Sequence, residues 1–558
     1  VFRISAGSAL SAGLLLAAIV SVAGAQTPDS TAVRVDSVFA EFNRTDAPGC
    51  VCGVMRDGEM MFAKGYGMAN LEFDVPLSPR SVIYIASTSK QFTAASIAVL
   101  ALQDRIDLDA DIHTYLPDMG ALGYRVSVRN LVHHTSGIRD HFGLLGLAGW
   151  TGRDYFSNER VYELLKQQRA LNFEPGSRYL YSNSNYLLLA EIVERVSGQS
   201  LREFARANLF EPLGMENTHF DDDYYQIVKQ RASSYGPRRD GGYERYLKSF
   251  DGYGDGNLLT TIGDLLKWDE NFYDPKVGGQ AFLDLILTPG TLNTGDTLNY
   301  AFGLGHGSYR GLPTVSHGGG FKGFRTQLLR FPTEHFSVAV LCNVTTANPT
   351  ALAERVTDIY LADALAPTSA GAPTTPEPSI ELSESELERF AGHYWDPLQR
   401  IARQIAVTDG QLVYRRGPGN ESPLAALDAR RFVMLDVPVT VEVAFYGDDA
   451  HLMTVTVDGG SPSEYERYEP ASPTESELDA YLGTYDSDEG LAPLRVTRVG
   501  QVLNVHVQRQ EPLALRPLMK DRFAFGWGSI AFDRTSGRVT GLAIDASRIL
   551  GVRYRKRN

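Results

Sequence analysis

Cysteine is scarce: Cys50, Cys52 and Cys342 are the only three in a chain of 558 residues. An odd number without regular spacing is neither a disulfide framework nor a zinc site. Cys50 and Cys52 fall on one face of an extended strand, where bridging them would demand strained geometry. All three are therefore expected to be small buried apolar residues. The 11 histidines are scattered, with no His-Glu-x-x-His and no clustered ligand set, so no metal or other cofactor is expected. Long Lys/Arg runs are missing and the net charge is −14, which leaves no electrostatic footprint for nucleic acid.

Long apolar runs are missing as well, apart from one at residues 9–22. It follows Arg3 and ends in Ala23-Gly24-Ala25, a small-x-small site of the kind signal peptidase cuts. The run is short for a bilayer span of about 20 apolar residues. Residues 1–25 therefore read as a cleaved secretion signal, and the chain from Gln26 onward as a secreted or periplasmic protein without a membrane span.

What is present organises into segments. Cys50–Arg56 and 60–66 read as strands of a hairpin around Asp57-Gly58. Residues 88–103 form a helix that is apolar nearly all round, hence buried. Helical patterns dominate from 108 to 269, most clearly over 162–168, 186–196 and 201–207. Extended patterns return at 327–330 and 336–342, and an amphipathic helix over 351–365 follows. Strands at both ends with helices between predict an α/β domain of the α+β type, residues 26–365, with an antiparallel sheet shared by its two ends.

Residues 366–382, rich in Pro, Ala, Thr and Ser, read as a linker. Beyond it Glu384-Ser-Glu-Leu387 with Phe390-Ala-Gly392-His-Tyr394 recurs as Glu475-Ser-Glu-Leu478 with Tyr481-Leu-Gly483-Thr-Tyr485. A period near 90 residues is too long for a solenoid and predicts a duplicated small domain. Short β-type runs between turns make each copy a β-barrel, at 383–470 and 474–558.

Three short motifs carry chemistry. Ser87-Thr88-Ser89-Lys90 is the only Ser-x-x-Lys. Ser87 opens the buried helix, where its N–H is an unpaired helix-start donor able to bind an oxyanion. Lys90, on the same helical face, is biased toward its neutral amine by the helix dipole and desolvation, and so suits accepting the Ser87 proton. Tyr181-Ser182-Asn183 is the only Tyr-x-Asn; a tyrosinate near a lysine suits proton transfer, and the Asn amide suits a substrate carbonyl. In His317-Gly318-Gly319-Gly320 the glycines allow close approach of substrate to backbone, with the Gly320 N–H completing an oxyanion pair with Ser87. Taken singly, these patterns equally describe a helix cap, a polar loop and a glycine turn.

In that order, with about 90 and 135 residues between them, they resemble the serine β-lactamase and penicillin-binding protein superfamily. The resemblance is closest to its class C β-lactamase, esterase and D-aminopeptidase branch. It covers residues 32–365 and extends to Leu131–Gly137, Glu211–Met215 and Asn257–Thr261. It implies acyl transfer through Ser87, proton transfer by Lys90 and Tyr181, and substrate framing by Asn183, His317 and Gly319. His133 and His134 read as structural turn residues. Where β-lactamases carry Lys-Thr-Gly, this chain has His317-Gly318-Gly319. A histidine is mostly neutral at pH 7 and offers no permanent cation for a substrate carboxylate. Small esters, or amides and short peptides with a free amino end, are therefore the expected substrates. β-Lactamase or D-Ala-D-Ala carboxypeptidase activity is the alternative, and a penicillin-recognising binding protein the non-enzyme one.

Overall fold

The computed structural model describes residues 30–557 apart from 248–249, 368–379, 418, 438–439, 458–459 and 461. The expected secretion signal lies outside the described residues, as does most of the expected linker. Six strands form an antiparallel sheet: β1 (Cys50–Arg56), β2 (Glu59–Tyr66), β3 (Gly305–Tyr309), β4 (Leu312–Phe321), β5 (Phe324–Phe331) and β6 (Phe336–Cys342), in the order β3-β4-β5-β6-β1-β2. The β1–β2 turn places Asp57 at φ 50° and Gly58 at φ 77°, the paired positive φ of a two-residue hairpin. The period of two in β1 sends Val51 and Met55 into one core, and Cys50, Cys52 and Val54 into another. The second core is closed by helices Ser30–Val38 and Pro349–Tyr360 through Val35, Val38, Leu352 and Val356.

The chain ends of this domain meet where β1 pairs with β6, and there the cysteine expectation is corrected. The register sets Cys50 opposite Cys342, and the two are joined in a disulfide with Cα atoms 3.9 Å apart. Only Cys52 is free, and it is buried. The partners are 292 residues apart, so local spacing carried no sign of the bond.

On the other face of the sheet lies the helical region, centred on helices α1 (Lys90–Leu102) and α2 (Asn183–Ser197), which pack together. The helix expected over 88–103 begins as a tight 3₁₀ turn, Ala86–Ser89, and becomes α-helical at Lys90. This turn is pressed against β4 and β5: Thr88 Oγ1 lies 3.3 Å from the His317 carbonyl on β4, and Thr326 Oγ1 on β5 donates to the carbonyl of Ile85, just before the turn, at 2.9 Å. Among the described residues no helix is long and apolar enough to cross a membrane.

Two closed eight-stranded barrels follow, with strands between Gly392 and Tyr468 and between Gly483 and Lys556. The repeated Glu-Ser-Glu-Leu is a short helix before each barrel, started by capping boxes of Ser383 with Glu386 and Thr474 with Glu477. The first barrel has its own core around Tyr394, Phe432 and Phe445. The core of the second, including Leu542, Ile549 and Tyr554, runs on into that of the helical region, so this barrel is docked on the domain.

Two outcomes follow from these contacts. Replacing both bonded cysteines by serine is expected to cost about 2–4 kcal/mol in denaturant unfolding, since the bond closes a long loop in the unfolded chain. A Cβ on Gly319 would sit 2.2 Å from the Ile85 carbonyl oxygen, whereas one on Gly320 meets nothing nearer than 3.6 Å. Gly319→Ala should therefore destabilise by about 1–3 kcal/mol, and Gly320→Ala by less than about 0.5 kcal/mol, measured by the same unfolding curves.

Candidate active site

From Ser81 to Leu100 every residue is buried except Ser87. The turn that presents it is strained: Ala86 takes φ 50°, a left-handed conformation that costs a residue with a Cβ roughly 1–2 kcal/mol. Ser87 opens onto a cavity of about 660 Å³. Tyr181, Asn183, His317, Gly318 and Gly320 line it as well, so residues from three distant motifs converge on one space. Lys90 and Gly319 stand behind this wall.

Lys90 is wholly buried, and its Nζ reaches Ser87 Oγ at 3.3 Å, Asn183 Oδ1 at 2.9 Å and the Asp255 carbonyl. Burial pulls its pKa from 10.5 down to about 8, against the opposing pull of Asp255 and Asp140. An amine so placed is neutral in about a tenth of molecules at pH 7 and about half at pH 8, and in that form it can accept a proton from the serine hydroxyl. Asn183 starts α2, and its side chain is oriented by Asp140: Asp140 Oδ2 accepts from both the backbone N–H and Nδ2 of Asn183, each at 2.8 Å.

Tyr181 packs against His134 with ring centroids 4.2 Å apart and the planes tilted by 35°, and its ring lies 5.0 Å from Lys90 Nζ. Among the described residues its hydroxyl has no partner of regular hydrogen-bond geometry, yet it is near enough to the Ser87 hydroxyl to feel it. Burial outweighs that contact and pushes the phenol's pKa up. Tyr181 therefore rests as the neutral phenol, not the tyrosinate considered from the sequence. His133 and His134 are buried turn residues whose pKa values are lowered by burial, with His134 Nδ1 accepting from the Ser182 N–H at 3.2 Å.

His317 lies on β4 beyond Ser316, the last residue of that strand paired with β3, so this stretch has an open edge beside the Ser87 turn. His317 Nδ1 is 2.6 Å from the Gly318 carbonyl and Nε2 is 3.1 Å from the Tyr300 hydroxyl, which fits the Nδ1–H tautomer. Burial, then the Lys90 charge, bring its pKa to about 4. It is neutral at pH 7, more firmly than an ordinary histidine.

Three features of the cavity were not read from the sequence. Tyr84, Phe142, Phe156, Phe250 and Phe321 form an aromatic wall, with Phe156 and Phe250 stacked at 5.3 Å and Phe250 and Phe321 edge-on at 4.9 Å. Asp255 faces the cavity, its carboxylate 3.9 Å from His141 Nε2. Arg548, from the second barrel, completes the lining. No local pattern marks these residues; their roles exist only through packing.

The family profile described as Beta-lactamase matches residues 35–362. The D-aminopeptidase of Gluconobacter oxydans (strain 621H) is 28% identical over 369 residues, covering 65% of this chain and 68% of that protein. Penicillin-binding protein 4* of Bacillus subtilis (strain 168) is 29% identical over 301 residues, covering 51% of this chain and 66% of that one. The chain spans between 56% and 68% of the lengths of the curated relatives it matches. Among solved structures, the octameric penicillin-binding protein homologue from Pyrococcus abyssi shares the fold with a TM-score of 0.54 at 22% identity, over 78% of this chain and 99% of that one. With more than half of its length matched by the profile, and with the serine and lysine of its Ser-x-x-Lys motif in contact at the cavity, the chain belongs to the Beta-lactamase family of serine hydrolases.

Proposed function

We propose that the protein hydrolyses small esters or amides, D-amino-acid amides and short peptides among them, through an acyl-enzyme on Ser87. The observation that carries this reading is the buried Lys90 amine 3.3 Å from the Ser87 hydroxyl, with its pKa near 8. Lys90 accepts the Ser87 proton as Oγ attacks the substrate carbonyl. The N–H groups of Ser87 and Gly320 hold the oxyanion. Tyr181, as a phenol between Lys90 and the cavity, passes the proton to the leaving alcohol or amine. Asn183 positions the substrate carbonyl, and water then attacks the ester on Ser87 and releases the acid. The aromatic wall favours substrates with an apolar or aromatic group beside the scissile bond.

The neutral His317 supports esters and amides over β-lactams, since it brings no cation to the strand edge. The D-aminopeptidase relatives add weight to D-amino-acid amides. We also propose export, supported by the signal-like residues 1–25 and by the Cys50–Cys342 bond, which persists in oxidising compartments.

A panel of short p-nitrophenyl esters, D- and L-alanine p-nitroanilides and a chromogenic cephalosporin tests the reading. Ser87→Ala should lower ester turnover by at least about a thousandfold, and the intact protein should turn over esters faster than the cephalosporin. Retained turnover in Ser87→Ala would sink the assignment. Because Lys90 must be neutral to act as base, kcat/KM should rise with pH and level off above about 8. A profile that levels off near the ordinary histidine range would point to another base.

A further inference from the structure

The second barrel places one side chain in the cavity. Arg548 sits at the turn between β7 (Arg538–Ala546) and β8 (Ile549–Lys556). Main-chain bonds hold this turn: the Arg548 carbonyl accepts from the Asp140 N–H at 3.2 Å and from Asn172 Nδ2 at 2.9 Å. The Leu550 N–H donates to Asn172 Oδ1 at 2.7 Å. Beneath it the buried Arg139 pairs with Glu489 at 2.5 Å and donates to the carbonyls of Leu550 and Gly551. The position of the turn thus does not depend on the Arg548 side chain.

That side chain reaches over the Tyr181 ring, Cζ 4.8 Å from its centroid, with Nη1 3.7 Å from Asp140 Oδ2. Asp140 is already engaged, by Asn183 through Oδ2 and by the Phe142 N–H through Oδ1 at 3.0 Å. The Arg548 side chain remains 42% exposed. A guanidinium with five donors and one long contact to a shared carboxylate is suited to bind a further carboxylate in a fork geometry. With His317 neutral, Arg548 is the one permanent cation among the described residues that line the cavity. Arg548 also lines an adjoining pocket of about 240 Å³ with Asp140 and Trp527, and Trp527 lines a cleft of about 430 Å³ holding Arg400, Arg403, Arg416 and Arg516 against Asp545. In a chain of net charge −14 the lining of this cleft carries an excess of guanidiniums over carboxylates.

We propose that Arg548 determines specificity within the ester and amide class: among those substrates the preferred ones carry a carboxylate close to the scissile carbonyl, bound by this guanidinium away from the strand edge while Ser87 attacks. The inference rests on the acyl-enzyme reading above. The opposing charge in the cavity is Asp255, with its side chain 12% exposed, which suits a substrate ammonium instead.

Matched substrates separate the possibilities. Mono-p-nitrophenyl adipate against p-nitrophenyl hexanoate puts the carboxylate in the acyl half. Phenylacetyl thioglycolate against its methyl ester puts it in the leaving half. The charged member is expected to be favoured in at least one pair. Arg548→Gln should lower the charged-to-neutral ratio of kcat/KM there by about tenfold or more, and Arg548→Lys should keep part of it. Thermal unfolding of each variant shows whether the turn stays docked. A ratio unchanged in Arg548→Gln, with both members falling together, overturns the proposal and leaves Arg548 as a positioning residue for Tyr181. Preference for D-alanine p-nitroanilide over every carboxylate substrate, lost in Asp255→Asn, overturns it too. Failure of the underlying reading looks different: the intact protein then turns over no ester, and a fluorophosphonate does not label Ser87.

Discussion

An amine held without water at the start of a buried helix is the constraint around which the hydrolase domain is arranged. Lys90 is wholly buried and keeps three polar partners, Ser87, Asn183 and the Asp255 carbonyl. Burying an ammonium is costly, and the protein answers by lowering the lysine's pKa and not by pairing it closely with a carboxylate. The acids that oppose this shift, Asp255 and Asp140, act on the amine through space by the charge of their carboxylates. The same burial makes α1 apolar nearly all round and leaves Ser87 as the one residue of its stretch open to solvent.

The cavity is a junction of three bodies. The helical region supplies Ser87, Tyr181 and Asn183, the open edge of β4 supplies His317 and the glycines, and the second barrel supplies Arg548. Asp140 ties two of them together: its carboxylate holds Asn183 in the site while its N–H holds the Arg548 carbonyl. A disturbance of the docked barrel would therefore reach the site through Asp140 as well as through the guanidinium. Gly319 performs the corresponding service for β4, since only the absence of a Cβ allows the strand to lie against the Ile85 carbonyl.

Much of this was legible beforehand where the signal was local. The Asp57-Gly58 turn, the buried helix after Ser87 and the duplicated barrel unit each depend on residues within a few turns or on a direct repeat. Ser87, Lys90, Tyr181, Asn183 and His317 could be picked out as motif residues, and they do converge. The Cys50–Cys342 bond was misread because spacing along the chain says nothing about which strands become neighbours. The charge state of Tyr181 differs from the tyrosinate considered beforehand because burial, which only the fold sets, outweighs the lowering influence of the Ser87 hydroxyl and Arg548.

The sequence by itself determined the chemistry available and the local frames that carry it: a serine and a lysine one helical turn apart, a tyrosine ahead of an asparagine, a histidine before three glycines, and two copies of a small β unit. Only the tertiary structure decided what those groups face and therefore what they can bind. Proton affinity depends on desolvation, and selectivity depends on which charges share a cavity; both are set by contacts between residues hundreds of positions apart. That is why the position of a β-lactamase lysine could be seen to hold His317, while the cation now lining the cavity, Arg548, could be found only by folding the chain.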